Sequence, residues 1–230
     1  MKYSWLVLTA VSACLPAFPA PAAIVVGFVG GMVNPNNSTH TEVQLAMRLR
    51  RDYDSAVRVL MFANRQGEQA RQQVLRLLDP RPSARRKARI VIFGHSWGAS
   101  ETVTLARSLG TLGIPVLLTV QVDSVRKHGE NDGTIPANVV EAVNFYQQDG
   151  LLHGRKEIRA ADPSRTQILG NFRSDYRDHT IDCQGYPWYA RMFMKPHIEI
   201  ESDPGVWRRV EDLIRSLLPP SAVTQRTRAE

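Results

Sequence analysis

Hydrophobic residues fall along this chain in two rhythms. Short stretches dominated by consecutive apolar residues, Ala23 to Val29, Ala56 to Phe62, Arg89 to Phe93 and Ile114 to Val122, have the length and composition of strands. Between them, Thr41 to Tyr53, Gly67 to Leu78 and Ser100 to Leu109 carry apolar residues at helical spacing, the last ended by Gly110 and Gly113. Strand followed by helix repeats. Strands that are apolar throughout, rather than at alternate positions, belong to a parallel sheet covered on both faces. The expectation is a three-layer α/β sandwich with a mainly parallel central sheet.

From Ser124 to Lys195 the rhythm loosens. A helix from about Asn138 to Gln148 and a short strand from about Glu157 to Ala160 are expected among loops rich in Asp, Arg and aromatic residues. Phe145, Tyr146, Trp188, Tyr189 and Phe193 fall here, either as cap elements lining an acyl or aromatic pocket or as ordinary core and loop packing. Beyond it, Val206, Val210, Leu213, Ile214, Leu217 and Leu218 return to helical spacing behind Asp203-Pro204. Asp accepts from the free N–H groups of a first turn and Pro needs no acceptor there, so the pair starts a helix. Residues 219–230 read as a flexible tail, and no internal repeat appears.

The chain has 230 residues, 43% of them hydrophobic, enough for one substantial core and one domain spanning residues 24–218. Ahead of it, Lys2, an apolar stretch from Trp5 to Leu15, and small residues and prolines up to Ala23 form an export signal, too short and wrongly flanked to span a bilayer. Val11-Ser12-Ala13-Cys14 also fits a lipobox, in which Cys14 is lipidated and anchors the protein to a membrane. A cut near Ala20 to Ala23 is the alternative. By either route the mature chain works outside the cytoplasm, secreted, periplasmic or anchored to the envelope. By either route Cys183 has no partner for an intramolecular disulfide.

A net charge of +7 comes largely from arginine, in clusters such as Arg48, Arg50 and Arg51 and the stretch from Arg81 to Arg89. Nucleic-acid surfaces interleave such charges with aromatics; these clusters do not, and they lie beside helices and a strand start, so they read as solvated faces. No nucleic-acid partner is expected.

The chemistry is concentrated in Ile90-Val91-Ile92-Phe93-Gly94-His95-Ser96-Trp97-Gly98-Ala99-Ser100. A strand that passes directly into a helix through a serine forces that serine into a strained backbone conformation. This is tolerable only where the residues two places away lack side chains, hence Gly94 and Gly98. The bend exposes the Ser96 hydroxyl at the sheet's carboxyl edge. It also puts the Trp97 N–H at a helix amino terminus, where peptide dipoles favour negative charge. With this strand and helix as its setting, the G-x-S-x-G pattern resembles the α/β-hydrolase superfamily, specifically its small esterase, lipase and thioesterase-like members.

The resemblance implies an α/β-hydrolase-like fold and a triad in the chain order serine, acid, histidine. Ser96 takes the nucleophile's place. Asp123, ending the stretch Leu117 to Val122, emerges at the same sheet edge and fits the acid. It also fits an aspartate capping a turn beside Ser124, and Asp162 one strand later is the rival acid. His197, ahead of the terminal helix, fits the base, although Ile198 and Ile200 behind it would also suit an ordinary strand residue. The family's second oxyanion donor belongs after the first strand, where Gly30 and Gly31 are the glycine-rich candidates alongside Trp97.

His95 should be turned away from Ser96 by strand alternation, and His40, His128, His153 and His179 fall in loops as solvated residues. None has Cys or Asp at ligand spacing, and Glu130-Asn131-Asp132-Gly133 matches a calcium loop poorly, so no metal is expected. Gly27, Gly30 and Gly31 lack dinucleotide spacing, and Phe62-Ala63-Asn64-Arg65 lacks the ribose-binding acid, so no cofactor is expected. Two functions follow. One is an exported serine hydrolase acting on a small-molecule ester or thioester through an acyl-enzyme; the other is a non-catalytic envelope protein of the same fold that holds anionic polymers.

Overall fold

A computed structural model describes residues 21–219, apart from 54 and 79. The leader up to residue 20, Cys14 included, and residues 220–230 of the expected tail lie outside the described residues. The first half of the chain alternates as its pattern predicts. It runs β1 (Ala23–Val29), α1 (Thr41–Asp52), β2 (Val57–Ala63), α2 (Gly67–Leu77), the short α3 (Pro82–Arg85), β3 (Ile90–His95), α4 (Trp97–Gly110) and β4 (Val116–Val122). The second half adds β5 (Thr134–Ile135), β6 (Val139–Tyr146), β7 (Arg159–Ala160), β8 (Gln167–Arg173), α5 (Trp188–Phe193), α6 (Lys195–Ser202) and α7 (Pro204–Leu217).

Six strands form one sheet in the order β2-β1-β3-β4-β6-β8, every neighbouring pair parallel, while β5 and β7 pair in a small outlying sheet. Strand residues alternate between two cores. Val25, Val91, Phe93, Val120 and Val122 pack with Leu45 and Leu49 of α1, Ile200 of α6 and Trp207, Val210 and Ile214 of α7. Ile24, Val26, Phe28, Ile90 and Ile92 face the other way, onto Val74 of α2 and Val103 and Leu109 of α4. The architecture is the expected three-layer α/β sandwich, with a sheet that is parallel throughout.

Two corrections concern the second half. Residues 138–148 do not form a helix: Val139–Tyr146 is the strand β6, paired with β4 from Val116↔Val139 to Val122↔Phe145. Ala142, Val143, Asn144 and Phe145 are all buried, so the segment shows no alternation. A strand buried on both faces cannot be told from a buried helix by periodicity. Beside it, β8 occupies a stretch of apparent loop, because Gln167–Arg173 is a partly exposed edge with few apolar residues.

Candidate active site

At the carboxyl edge of the sheet, β3 passes into α4 through Ser96, whose φ of 57° and ψ of −125° lie where non-glycine residues are rarely found. The surroundings enforce this bend. A Cβ on Gly94 would lie 2.5 Å from the Gly98 carbonyl oxygen, and one on Gly98 would lie 2.4 Å from the Phe28 carbonyl oxygen, so α4 starts in backbone contact with β3 and β1. Ser96 is also tied sideways: its N–H donates to the Val122 carbonyl at 3.0 Å and its carbonyl accepts from Val125 at 3.2 Å. Replacing Gly98 by Ala should therefore destabilise the protein by about 3 kcal/mol, since backbone on both sides leaves an added methyl nowhere to go. Urea unfolding measures that loss.

Ser96 Oγ lies 2.9 Å from His197 Nε2, and His197 Nδ1 lies 2.7 Å from Asp123 Oδ2. The structure thus brings together the three residues that chain order singles out. Asp123 ends β4 with a φ of 45° and is fully buried. Its carboxylate collects donors: at Oδ1 the N–H groups of Gln147 at 3.0 Å and Gly154 at 2.8 Å, and at Oδ2 the Gln147 Nε2 amide at 2.7 Å. Gly154 must be glycine, because a Cβ there would sit 2.3 Å from Asp123 Oδ1. Gln147 and Gly154 are site residues that the sequence does not announce; neither belongs to a local motif, and each reaches Asp123 only through the fold.

Asp162, the rival acid, caps its own turn instead. It accepts from the Ser164 N–H at 3.0 Å and the Ser164 hydroxyl at 2.7 Å, and these bonds lower its pKa. His197 sits in the first turn of α6, neither in a loop nor in a strand. The apolar residues after it are core contacts of that helix, with Ile198 and Ile200 both buried.

His95 points to the α6 side of the sheet, as Phe93 does, and its ring lies tilted against the ring of His197 with centroids 4.6 Å apart. Burial, aided by the neighbouring His197, pushes its pKa down to about 4 although Glu201 works the other way. A neutral His95 puts no second positive charge against the ring of His197. His40 is a correction: it is buried, with Nδ1 2.5 Å from Glu201 Oε1. The partner that draws it inward lies far along the chain. His128, His153 and His179 are exposed.

On the oxyanion side, Gly30 lies against the elbow, where a Cβ would come within 2.8 Å of Ser96 Cβ. Gly31 has a φ of 45° with open space beside it, and its carbonyl accepts from Asn64 Nδ2 at 2.5 Å. Trp97 is the first residue of α4, so its N–H has no partner within the helix. The aromatic residues divide. Phe145 belongs to the core, stacked on Phe172 at 5.5 Å, whereas Trp188, Tyr189, Met192 and Phe193 are largely exposed on α5, immediately ahead of the helix bearing His197. A groove of about 630 Å³ beside the loop after Asp123 is lined by Arg126, Arg155, Lys156 and Arg159 among others.

No protein-family model matches the chain, and no curated protein matches it significantly. Among solved structures it is similar to a cutinase-like protein from Cryptococcus sp., with a TM-score of 0.46 and 14% identity, covering 88% of this chain and 98% of that one. It is also similar to an uncharacterized protein from Pseudomonas aeruginosa, with a TM-score of 0.35 and 11% identity over 64% of this chain and 40% of that one. A third, an iodinated acetyl xylan esterase, has a TM-score of 0.34 and 10% identity over 80% of this chain and 96% of that one. At these scores and identities no chemistry passes from those proteins to this chain, and it has to be read from Ser96 and its neighbours.

Proposed function

We propose that the protein is an exported serine hydrolase that cleaves a carboxylic ester or thioester through an acyl-enzyme intermediate. The observation that carries this reading is the unbroken chain Ser96 Oγ, His197, Asp123, with contacts of 2.9 and 2.7 Å on a strained elbow. His197 Nε2 takes the hydroxyl proton as Oγ attacks the substrate carbonyl carbon. Asp123 accepts from Nδ1–H, which fixes that tautomer, and steadies the imidazolium. Charge gathering on the carbonyl oxygen meets the Trp97 N–H and a donor from the Gly30 and Gly31 loop. His197 then returns the proton to the departing alcohol or thiol, and water repeats the sequence to free the acid. Export rests on the pattern of residues 1–23, with a lipid anchor at Cys14 as the alternative to cleavage near Ala20 to Ala23. The exposed apolar side chains of α5 favour an acyl group as the part of the substrate held beside His197.

A fluorophosphonate probe tests the chemistry directly, because it labels only an activated hydroxyl. Stoichiometric adduct on Ser96 is the expected result, together with hydrolysis of short p-nitrophenyl esters. An unlabelled, folded protein would sink the proposal. It would leave the second reading, a non-catalytic envelope protein holding anionic polymers, which the groove favours through Arg126 and Lys156, its Arg155 and Arg159 being paired with Asp132 and Glu157.

A further inference from the structure

Behind the paired rings of His95 and His197 lies a second cluster that the proposed chemistry does not use. His40 caps the amino end of α1, Glu42 stands in the first turn of that helix, and Glu201 closes α6. One ligand atom from each, an imidazole nitrogen and two carboxylate oxygens, lie within 4.8 Å of one another, and all three residues are buried. Among the described residues, Glu201 makes its ion pairs with His40 and His95, and Glu42 makes none. Glu42 is 0% exposed, and its carboxylate oxygens meet no donor in full hydrogen-bond geometry, although the N–H groups of Glu42 itself and of Gly30 lie close enough to favour its charged form and its carboxyl faces that of Glu201.

Two carboxylates sharing a dry pocket require positive charge between them. A proton is the simplest candidate, and burial together with the charge on Glu201 does push the Glu42 carboxyl well up. A proton shared with Glu201, however, leaves the other oxygen of Glu42 only the N–H groups of its own residue and of Gly30, neither in full hydrogen-bond geometry. The Nδ1 proton of His40 is already engaged with Glu201 Oε1 at 2.5 Å. A cation that accepts lone pairs from all three side chains answers the whole set.

We propose that His40, Glu42 and Glu201 form a binding site for one divalent transition-metal ion of the Zn²⁺ type. Imidazole with two carboxylates suits such an ion, whereas Ca²⁺ takes an all-oxygen cage. At ligand distances of about 2.0–2.2 Å, neighbouring ligand atoms stand wider apart than the 2.5 Å between His40 Nδ1 and Glu201 Oε1, so the ion would part that pair and take its place between them. Binding displaces the proton between His40 and Glu201 and any proton on Glu42, so uptake releases protons and weakens in acid. The Tyr186 hydroxyl, 3.4 Å from His40 Nδ1, closes the pocket. The ion would clamp the start of α1, at the end of the loop bearing Gly30 and Gly31, to α6, where Glu201 lies four residues beyond His197. Its part is to hold two segments of the site together, away from the reacting atoms.

The test uses full-length, tag-free protein stripped with a chelator and titrated with Zn²⁺ by calorimetry, with Co²⁺ absorption reporting the ligand field. The parent should bind one Zn²⁺ and melt at a higher temperature in its presence. Glu42→Gln, which copies the shape of a protonated glutamate and so preserves packing, should bind Zn²⁺ about 100-fold or more weakly and show no melting response. His40→Gln should lose the same binding. Undiminished binding in either variant overturns the site. So does a parent that takes up no stoichiometric Zn²⁺ or Co²⁺, whatever the variants do. The titration needs no substrate, so its outcome is independent of labelling at Ser96.

Discussion

Replacing Ser96 by alanine should abolish ester hydrolysis and leave the protein folded. The hydroxyl is the atom that would form the acyl bond, and without it His197 has nothing to deprotonate but water. The expected fall in kcat is at least about 10⁴-fold, leaving only the rate that positioning and oxyanion donors supply. Stability should change little. Alanine keeps the Cβ that packs against Gly30 and gives up a single hydrogen bond, worth about 1 kcal/mol. The elbow itself is held by bonds to Val122 and Val125 that involve the backbone alone. Initial rates on p-nitrophenyl esters, set beside an unfolding curve, decide the matter: a folded variant as fast as its parent would end the serine hydrolase reading.

Asp123→Asn should cost about 10⁴-fold in kcat through a different route. Four donors converge on this carboxylate: two backbone N–H groups, the Gln147 amide and His197 Nδ1. An asparagine has one acceptor oxygen, and the donors on Oδ1 come from fixed backbone, so its NH₂ turns toward His197. The imidazole then accepts at Nδ1 and carries its proton on Nε2, facing Ser96 Oγ. It can no longer act as a base. Asp162→Asn is the matched control and should leave kcat unchanged, because that carboxylate only closes a surface turn with Ser164. Equal losses in the two variants, or none in Asp123→Asn, would remove Asp123 from the assignment.

The parts of this molecule that can be read from the chain are those whose causes are local. Ile90 to Phe93 followed by Gly94, Ser96 and Gly98 specifies the elbow because the bend itself demands glycine where backbones touch. Asp203-Pro204 specifies the start of α7 because its capping bonds, from Gly205 and Val206 to Asp203, span only a few residues. What resists reading depends on distant neighbours. Val139–Tyr146 is a strand because β4 and β8 flank it, and its own composition suits either state. His40 is buried by a glutamate 161 residues away, and Gln147 and Gly154 reach Asp123 from positions 24 and 31 residues along the chain. His197 stands where chain order placed it, yet Pro196 opens a helix there that the apolar alternation of Ile198 and Ile200 disguises.

The bonds from Ser96 to Val122 and Val125 join the ends of two adjacent strands, so the serine and Asp123 are set in place by the same piece of scaffold. His197 comes from α6, packed on one face of the sheet and late in the chain. Docking of α6 against the sheet therefore completes the triad, and a molecule in which α6 has come loose keeps a shaped serine with no proton acceptor beside it.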